Sequence, residues 1–218
     1  MTTVILFGAT GATGLALSKL LLKKSYSLYT AARKEKDREY LSALGANAFL
    51  ADALNANQVI NAMSNITNEA TVISLVGGSS NEQGTRSDFL GNKYIIESAV
   101  DLEFKRLIFI TSIGSGESKP HLPDVLKPIL GPITDEKTKA ENILRNSGLD
   151  FTIIRPGQLT NDSATGDGLL TEECILGRMS REDLALMIIK CIEDKTTIGK
   201  IYSVLDANKK IDLSWMEK

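Results

Sequence analysis

The chain contains very few of the residues that build metal centres or disulfide frameworks. Its 218 residues include one histidine, His121, and two cysteines, Cys174 and Cys191. The two cysteines have no metal-ligand spacing, so we expect no bound metal and two reduced thiols. Because disulfides persist mainly in oxidising compartments, this cysteine usage favours a cytoplasmic protein.

A strong excess of charge of either sign is also missing. The formal net charge is −2, which supplies no basic surface for nucleic acid or for an acidic membrane. No apolar run approaches the ~18 residues of a membrane span. A strand pattern begins almost at the first residue, which leaves no room for a signal or transit peptide. We therefore expect a cytoplasmic protein with a small-molecule partner. The oligomeric state stays open, with a monomer as the working expectation.

A short strand, a glycine loop and a helix follow one another at the start of the chain. The apolar run Val4 to Phe7 is typical of a strand buried on both faces. Gly8 then allows a tight turn, Gly11 lets backbone N–H groups approach a pyrophosphate, and Gly14 lets the following helix pack closely. This context predicts a dinucleotide site, although a tight turn that only needs small residues is the alternative. The predicted loop contacts are Gly8, Thr10, Gly11, Ala12, Thr13 and Gly14.

The residue after the second predicted strand indicates which dinucleotide binds. That strand spans Leu28 to Ala32 and ends without an acidic residue, and Arg33 follows it directly. An acid at this position accepts the ribose 2′-OH of NAD, whereas an arginine pairs with the 2′-phosphate of NADP. The sequence therefore predicts NADP, with Arg33 on the 2′-phosphate. A solvated basic surface is the alternative explanation of Arg33.

Strand and helix patterns alternate along the rest of the chain and predict one α/β domain. Further strands are expected at 48–50, 70–76, 106–111, 151–154 and 201–205, and helices at 38–44, 55–63, 87–100, 134–146 and 180–192. The predicted fold is a doubly wound parallel sheet, a Rossmann fold, in a single domain over 1–218. Thr134 is the expected N-cap of its helix, after an irregular loop over 117–131. Loops around 115–132 and 157–180 are expected to cover the substrate.

Ligands of open parallel sheets bind beyond the carboxyl ends of the strands, so residues at those ends are further candidates. Asp52 and Ala53 follow the third strand, Val76 ends the fourth, and Gly77 and Gly78 come directly after it. We predict that these residues contact the cofactor. The alternatives are a strand-end turn former at Asp52 and a plain flexible loop at the glycine pair.

Several stretches together resemble one enzyme family. They are the loop Gly-Ala-Thr-Gly-Ala-Thr-Gly, Arg33, Asp52, Thr111-Ser112, the helix 134–148, Arg155-Pro156-Gly157 and Ser180 to Ala185. In this order they resemble the atypical short-chain dehydrogenase/reductases, and most of all the small flavin reductase/biliverdin-IXβ reductase type. The resemblance implies NADPH-dependent hydride transfer to a planar conjugated acceptor such as a flavin, a linear tetrapyrrole or a quinone.

The same resemblance assigns roles to individual residues. It places Asp52 beside the adenine, Thr111, Ser112, Pro156 and Gly157 near the nicotinamide, and Lys137 on the ribose or substrate. Ser112 and Lys137 are thus the catalytic candidates. Their alternatives are a strand-end hydroxyl bonded to its own backbone and an exposed helix lysine. His121 is expected to be a solvated loop residue, and Arg181 and Asp183 to belong to a helix start.

One departure from the family pattern bears on mechanism. Ordinary short-chain dehydrogenases use Tyr-x-x-x-Lys, but Ile133 stands four residues before Lys137. A simple carbonyl reductase therefore lacks its acid, whereas flavin reduction can take its proton from solvent. The missing tyrosine also keeps open a non-catalytic NADP-binding redox sensor or assembly factor. A nucleotide-sugar epimerase ranks last, because the chain lacks both the tyrosine and the usual C-terminal substrate domain.

Overall fold

The computed structural model describes residues 2–78, 86–209 and 211, which contain ten strands. In chain order these are β1 Thr3–Phe7, β2 Ser27–Ala32, β3 Asn47–Leu50, β4 Thr71–Ser74, β5 Arg106–Ile110, β6 Asp150–Pro156, β7 Gln158–Thr160, β8 Gly168–Thr171, β9 Arg178–Ser180 and β10 Lys200–Asp206.

Six α-helices and three short 3₁₀ helices connect these strands within the described ranges. The α-helices are α1 Ala12–Lys23, α2 Glu35–Ala43, α3 Ala56–Met63, α4 Leu90–Asp101, α5 Lys127–Arg145 and α6 Arg181–Glu193. The 3₁₀ helices are Gly116–His121, Asp124–Leu126 and Lys195–Thr197. None of the helices described has the length and apolar character needed to cross a bilayer.

The main sheet has eight strands in the order β3-β2-β1-β4-β5-β6-β10-β8. All neighbours pair in parallel except β8, which runs antiparallel to β10 at one edge. The chain moves outward from β1 to β3 and then returns to place β4 on the other side of β1. This reversal of strand order creates a crevice at the carboxyl ends of β1 and β4. The predicted doubly wound, mostly parallel sheet is confirmed.

Alternating side chains of β1 feed two separate cores. Val4 and Leu6 belong to a cluster with residues of α1 and α6, and Ile5 and Phe7 to a cluster with residues of α3, α4 and α5. All four side chains are almost completely buried. A strand covered by helices on both faces must be apolar throughout, which is why this run shows no polar alternation.

The start of α5 contradicts the predicted irregular loop and N-cap. The helix begins at Lys127, and Thr134 lies inside it, where its hydroxyl donates to the Gly131 carbonyl at 3.0 Å. Pro128 sits in the first turn, where its missing N–H would have had no helical partner. Pro132 removes one further helical donor, and the helix continues past it. The irregular segment therefore ends at residue 126 and not at 131.

The other helix starts agree more closely with the sequence. Asn55 accepts the N–H of Gln58 at 3.1 Å, and Ser180 accepts that of Asp183 at 2.9 Å, so each caps the helix that was predicted to start at its position. At the glycine loop, α1 begins at Ala12, so Gly14 belongs to the helix itself. The sequence patterns did not predict β7, β8 and β9, which are three or four residues long.

Candidate functional site

The glycine turn between β1 and α1 has two positions at which the fold itself requires glycine. Gly8 has a φ of +88°, and a Cβ there would lie 2.8 Å from the Leu75 carbonyl carbon. A Cβ on Gly14 would overlap the Gly8 carbonyl oxygen and lie 2.8 Å from Ala9 Cα. The turn thus packs against the end of β4, and α1 packs against the turn. Both contacts agree with the roles predicted for these two glycines.

Gly11 differs, because nothing in the described fold requires it to be glycine. Its φ of −73° and ψ of 161° are open to any residue, and a Cβ would meet only the Gly8 carbonyl oxygen, at an ordinary 3.6 Å. Gly11 is also the N-cap of α1, and no described side chain caps this helix. The N–H groups of the first turn therefore have no side-chain hydrogen-bond partner among the described residues, as in an anion-binding helix N-terminus.

A cleft of about 410 Å³ lies at the carboxyl ends of β1 and β4. It extends from the glycine turn across the ends of β2 and β3 to the strand end of β4. Nine of the predicted cofactor residues line it. These are Gly8, Thr10, Gly11, Arg33, Asp52, Ala53, Val76, Gly77 and Gly78. Ala12, Thr13 and Gly14 form the first turn of α1 beside it.

Two charged side chains lie at the β2 and β3 end of the cleft. Arg33 is exposed and forms no hydrogen bond or ion pair with any other residue that the structure describes. Asp52 caps its own strand end, with Oδ1 accepting the Leu54 N–H at 3.0 Å. Asp52 thus acts as the turn former considered above, and its second carboxylate oxygen makes no hydrogen bond within the described ranges.

The candidates predicted to lie near the nicotinamide are at the carboxyl ends of β5 and β6 and are not part of the cleft wall. The Thr111 hydroxyl donates to Glu141 Oε1 at 2.7 Å, and the Ser112 hydroxyl to the Ile113 carbonyl at 3.1 Å. The Pro156 carbonyl accepts the Ile113 N–H at 2.9 Å. Gly157 lies so close to the Gly177 backbone that a Cβ would overlap the Gly177 carbonyl oxygen. The Ser112 hydroxyl is thus bonded to the backbone, as in the alternative explanation given for it above. Its oxygen can still accept a hydrogen bond.

Lys137 is not the exposed helix lysine of the alternative explanation. Its Nζ lies 3.1 Å from Asp88 Oδ1, and its side chain is only 12% exposed. Asp88, just before α4, is completely buried and also accepts the Gly78 N–H at 3.0 Å. Asp88 is a residue that the sequence patterns missed, since a single aspartate at a helix start has no signal beyond capping.

A second buried charge cluster joins β6 to α5 and was also missed. Arg155 Nε donates to Glu141 Oε1 at 3.0 Å, and its Nη2 donates to Glu117 Oε2 at 2.8 Å. Burial lowers the pKa of Arg155, but its hydrogen bonds to Glu141 and Glu117 outweigh this and leave the pKa above its ordinary value. Glu141 also accepts from Thr111, so one carboxylate fixes the ends of both β5 and β6.

The segments expected to cover the substrate are held by further polar contacts. Glu117, in the first 3₁₀ helix, accepts from Arg145 at 2.6 Å as well as from Arg155. In the second segment, buried Asp183 accepts the N–H groups of Thr165 and Gly166. Burial raises the pKa of Asp183, but these hydrogen bonds outweigh it and hold the pKa below its usual range. His121 is exposed, as expected.

The described residues contain no cluster of three or more histidine, cysteine, aspartate or glutamate side chains that could hold a metal ion. The polar groups that line the cleft include backbone N–H groups, an arginine and a carboxylate. Such groups suit the phosphates and ribose hydroxyls of a dinucleotide.

Comparison with known proteins gives matches that span the chain. Residues 8–195 match the family model described as NAD(P)H-binding. A Bacillus subtilis (strain 168) protein named "Uncharacterized sugar epimerase YhfK" is 30% identical over 210 residues, covering 95% of this chain and 96% of that protein. Sanguinarine reductase of Eschscholzia californica is 26% identical over 246 residues, covering 93% and 88% of the two chains.

A solved structure shares both the fold and part of the sequence. ChuY, described as an anaerobilin reductase from Escherichia coli O157:H7, superposes with a TM-score of 0.89 at 30% identity. The match covers 97% of this chain and 100% of that one. These neighbours confirm the predicted likeness to atypical short-chain dehydrogenase/reductases near the biliverdin reductase type. With a family model matching from the first glycine of the loop to beyond α6, the chain belongs to the NAD(P)H-binding family.

Proposed function

We propose that the protein is an NADPH-dependent reductase that transfers hydride to a flavin or a similar planar conjugated acceptor. The observation that carries the proposal is the cleft at the carboxyl ends of β1 and β4. It combines an uncapped helix N-terminus, a glycine that the fold does not need and an arginine with no ion-pair partner among the described residues. All three features suit a dinucleotide that carries a 2′-phosphate: the helix N-terminus and the glycine suit its pyrophosphate, and the arginine suits its 2′-phosphate.

Each part of the cleft takes one part of the cofactor in this proposal. The first turn of α1, from Ala12 to Gly14, holds the pyrophosphate. Arg33 pairs with the 2′-phosphate, and Asp52 with Ala53 lies beside the adenine. Thr10 and the segment Val76 to Gly78 flank the pyrophosphate and the adjoining ribose. When bound, NADPH supplies the hydride.

On the acceptor side, we propose that the protein positions the nicotinamide against the acceptor and excludes water. Ser112 and Gly157 hold the nicotinamide against the acceptor, and Lys137 contacts the ribose or substrate. Ile133 takes the place of the family's tyrosine one helical turn before Lys137, so no hydroxyl acid stands there. A flavin needs none, because the hydride goes to the ring and solvent supplies the proton. The segments 115–132 and 157–180 cover the flat ring.

The relatives support a reductase in general more than any one acceptor. Two proteins that match this chain over most of its length are named as reductases, ChuY for anaerobilin and the Eschscholzia californica protein for sanguinarine. The Bacillus subtilis relative is named as a sugar epimerase. Epimerisation at a sugar carbon requires an acid–base group at the reacting carbon, and Ile133 does not provide one.

A second candidate function is an NADP-binding redox sensor or assembly factor without turnover. It is favoured by the contacts of the two catalytic candidates, since the Ser112 hydroxyl donates to the Ile113 carbonyl and Lys137 is paired with Asp88. Both functions require the same cofactor in the same cleft. They differ in whether an acceptor removes the hydride. The cytoplasmic location and the monomeric state expected from the sequence remain predictions under either function.

An NADPH-oxidation screen with FMN, FAD, quinones and biliverdin tests the proposal. We expect steady oxidation with at least FMN or FAD, faster with NADPH than with NADH. Tight NADPH binding without oxidation by any acceptor in the screen would contradict the reductase and support the sensor.

Two substitutions test the assigned roles once an acceptor is found. Ser112→Ala should lower kcat about tenfold, which corresponds to one hydrogen bond worth ~1.4 kcal/mol in the transition state. Lys137→Ala should raise KM more than it lowers kcat. Lys139→Ala, which removes an exposed lysine paired with Glu136 on the same helix, is the control and should change neither. A loss of about 10⁴ in kcat for Lys137→Ala at unchanged KM would assign the proton chemistry to Lys137.

A further inference from the structure

Asp88 is a fully buried carboxylate surrounded by donors from three parts of the chain. Oδ2 accepts the Gly78 N–H at 3.0 Å and two N–H groups of Arg86, from Nε at 3.0 Å and from Nη2 at 2.7 Å. Oδ1 accepts no hydrogen bond from the described residues but forms an ion pair with Lys137 Nζ at 3.1 Å. A buried carboxylate persists only where such partners compensate its lost hydration. The one side chain thus joins α5 to the strand end of β4.

The backbone around Asp88 is itself fixed by a buried asparagine. Asn92 Nδ2 donates to the carbonyls of Asp88 at 2.8 Å and of Val76 at 3.1 Å. Its Oδ1 accepts from the Ser74 hydroxyl at 2.5 Å. The turn that carries Asp88 therefore cannot move independently of the end of β4. Its carboxylate has a fixed position relative to the cleft.

The ion pair lies directly against the wall of that cleft. A Cβ added to Gly77 would be 3.0 Å from Asp88 Oδ1 and 3.1 Å from Lys137 Nζ. Gly77 and Gly78 both line the cleft. The pair is therefore separated from the space proposed for the cofactor by no more than the Gly77 backbone.

We propose that Asp88 is a positioning residue for cofactor binding. It holds the Lys137 ammonium at the edge of the cleft and fixes the Gly77–Gly78 backbone that lies beside it. This inference rests on the proposed function only in assuming that Lys137 contacts NADPH. A lysine side chain loses rotamer entropy when it binds. Because Asp88 restrains Lys137 in the free protein, that loss is smaller when NADPH enters.

The two possible roles of Asp88, structural and positioning, predict different effects of its substitution on NADPH binding. A structural carboxylate would stabilise the fold and affect NADPH binding independently of Lys137. A positioning carboxylate acts on binding through Lys137, so the effects of removing either group overlap. A double-mutant cycle measures this overlap directly.

The experiment measures the Kd of NADPH for Asp88→Asn, for Lys137→Met and for the double variant at low ionic strength. Each single change should raise Kd about tenfold, and the double change about tenfold as well. A double variant that binds about a hundredfold more weakly would show independent effects and overturn the proposal. Asp135→Asn is the matched control. It removes an aspartate of α5 from an exposed pair with Lys119 of the first 3₁₀ helix, and Kd should stay within about twofold.

A second measurement on the cofactor-free protein keeps this test separate from the proposed function. Selective labelling of lysine reports the mobility of the Lys137 Cε by NMR. Lys137 should be ordered in the wild type and in Asp135→Asn, and mobile in Asp88→Asn. Equal mobility in all three would overturn the proposal whatever the protein does with NADPH. If Asp88→Asn does not fold, wild type and Lys137→Met decide. A Lys137 as mobile as the exposed Lys139, or a Kd of Lys137→Met within about twofold of wild type, would overturn the proposal, whereas an ordered Lys137 with a raised Kd in Lys137→Met would support it. Failure of the acceptor screen would bear only on turnover.

Discussion

At the scale of single residues, Gly11 and Gly14 separate the needs of a ligand from the needs of the fold. A side chain at Gly14 would collide with backbone atoms of the turn, whereas one at Gly11 would meet ordinary contact distances. Glycine at a position that tolerates a side chain indicates close approach of something outside the chain. In this account, that partner is the pyrophosphate.

The two glycines therefore predict opposite phenotypes. Gly11→Val should abolish NADPH binding and leave the thermal unfolding temperature close to that of wild type. Gly14→Ala should instead lower stability by about 1–3 kcal/mol, the usual cost of forcing a group into a packed region. Titration and thermal unfolding of both variants check the pair. Unchanged NADPH affinity in Gly11→Val would reduce the glycine loop to a structural turn.

The buried acidic residues of the site region were not identified from the sequence. Asp88 lies in the turn before α4 and Glu141 inside α5, and nothing near them in the sequence distinguishes them from surface carboxylates. Their partners, Lys137 for Asp88 and Thr111 with Arg155 for Glu141, are brought to them only by the fold.

At the scale of elements, helices and strands with a local sequence pattern were predicted correctly. Elements whose boundaries or pairing depend on tertiary packing were not. The strand β1 and the caps of α3 and α6 follow from apolar runs and from Asn55 and Ser180. In α5, Thr134 suggested an N-cap, and hence a helix start, that the structure does not have. The pairing of β7 with β9 joins residues about twenty apart, and three-residue strands carry no periodicity of their own.

Glu117 predicts how acid acts on the first 3₁₀ helix. Its hydrogen bond from Arg155, together with one from its own backbone, lowers the pKa of Glu117 from 4.5 to about 2. Because the pKa is lower in the folded protein, the stabilisation is complete above the ordinary value and is lost as the pH falls towards 2. The side chain is 55% exposed, so solvent screens much of this interaction.

The expected result is a pH-dependent gap in unfolding temperature between wild type and Glu117→Gln. The gap should be present at neutral pH and should close as the pH falls from 4.5 towards 2. Thermal unfolding monitored by circular dichroism measures it. Glu136→Gln, which breaks a partly exposed pair within α5, is the control and should show little gap at any pH. A constant gap for Glu117→Gln down to the lowest pH would contradict the proposed ion pairing.

At the scale of the whole molecule, topology brings the predicted residues together. The strand order places the ends of β1, β2, β3 and β4 side by side, so loop residues from four separate stretches share one cleft. This much was predictable, because right-handed crossovers leave few arrangements for alternating strands and helices. The candidates at the ends of β5 and β6 lie at the same edge of the sheet but outside the cleft. The acceptor itself was not predictable, because loops without a fixed motif build its site.

The central claim is that this cleft binds NADPH, with Arg33 on the 2′-phosphate. Titration of NADPH and NADH into wild type and Arg33→Ala tests it most directly, with Arg38→Ala, an arginine paired with Glu35, as the control. Wild type should prefer NADPH. Arg33→Ala should weaken NADPH binding by about 1–3 kcal/mol, the range for hydrogen bonds to a charged group, and leave NADH nearly unchanged. Arg38→Ala should change neither. Equal losses of NADPH and NADH binding in Arg33→Ala, or a wild type that binds neither, would contradict the account.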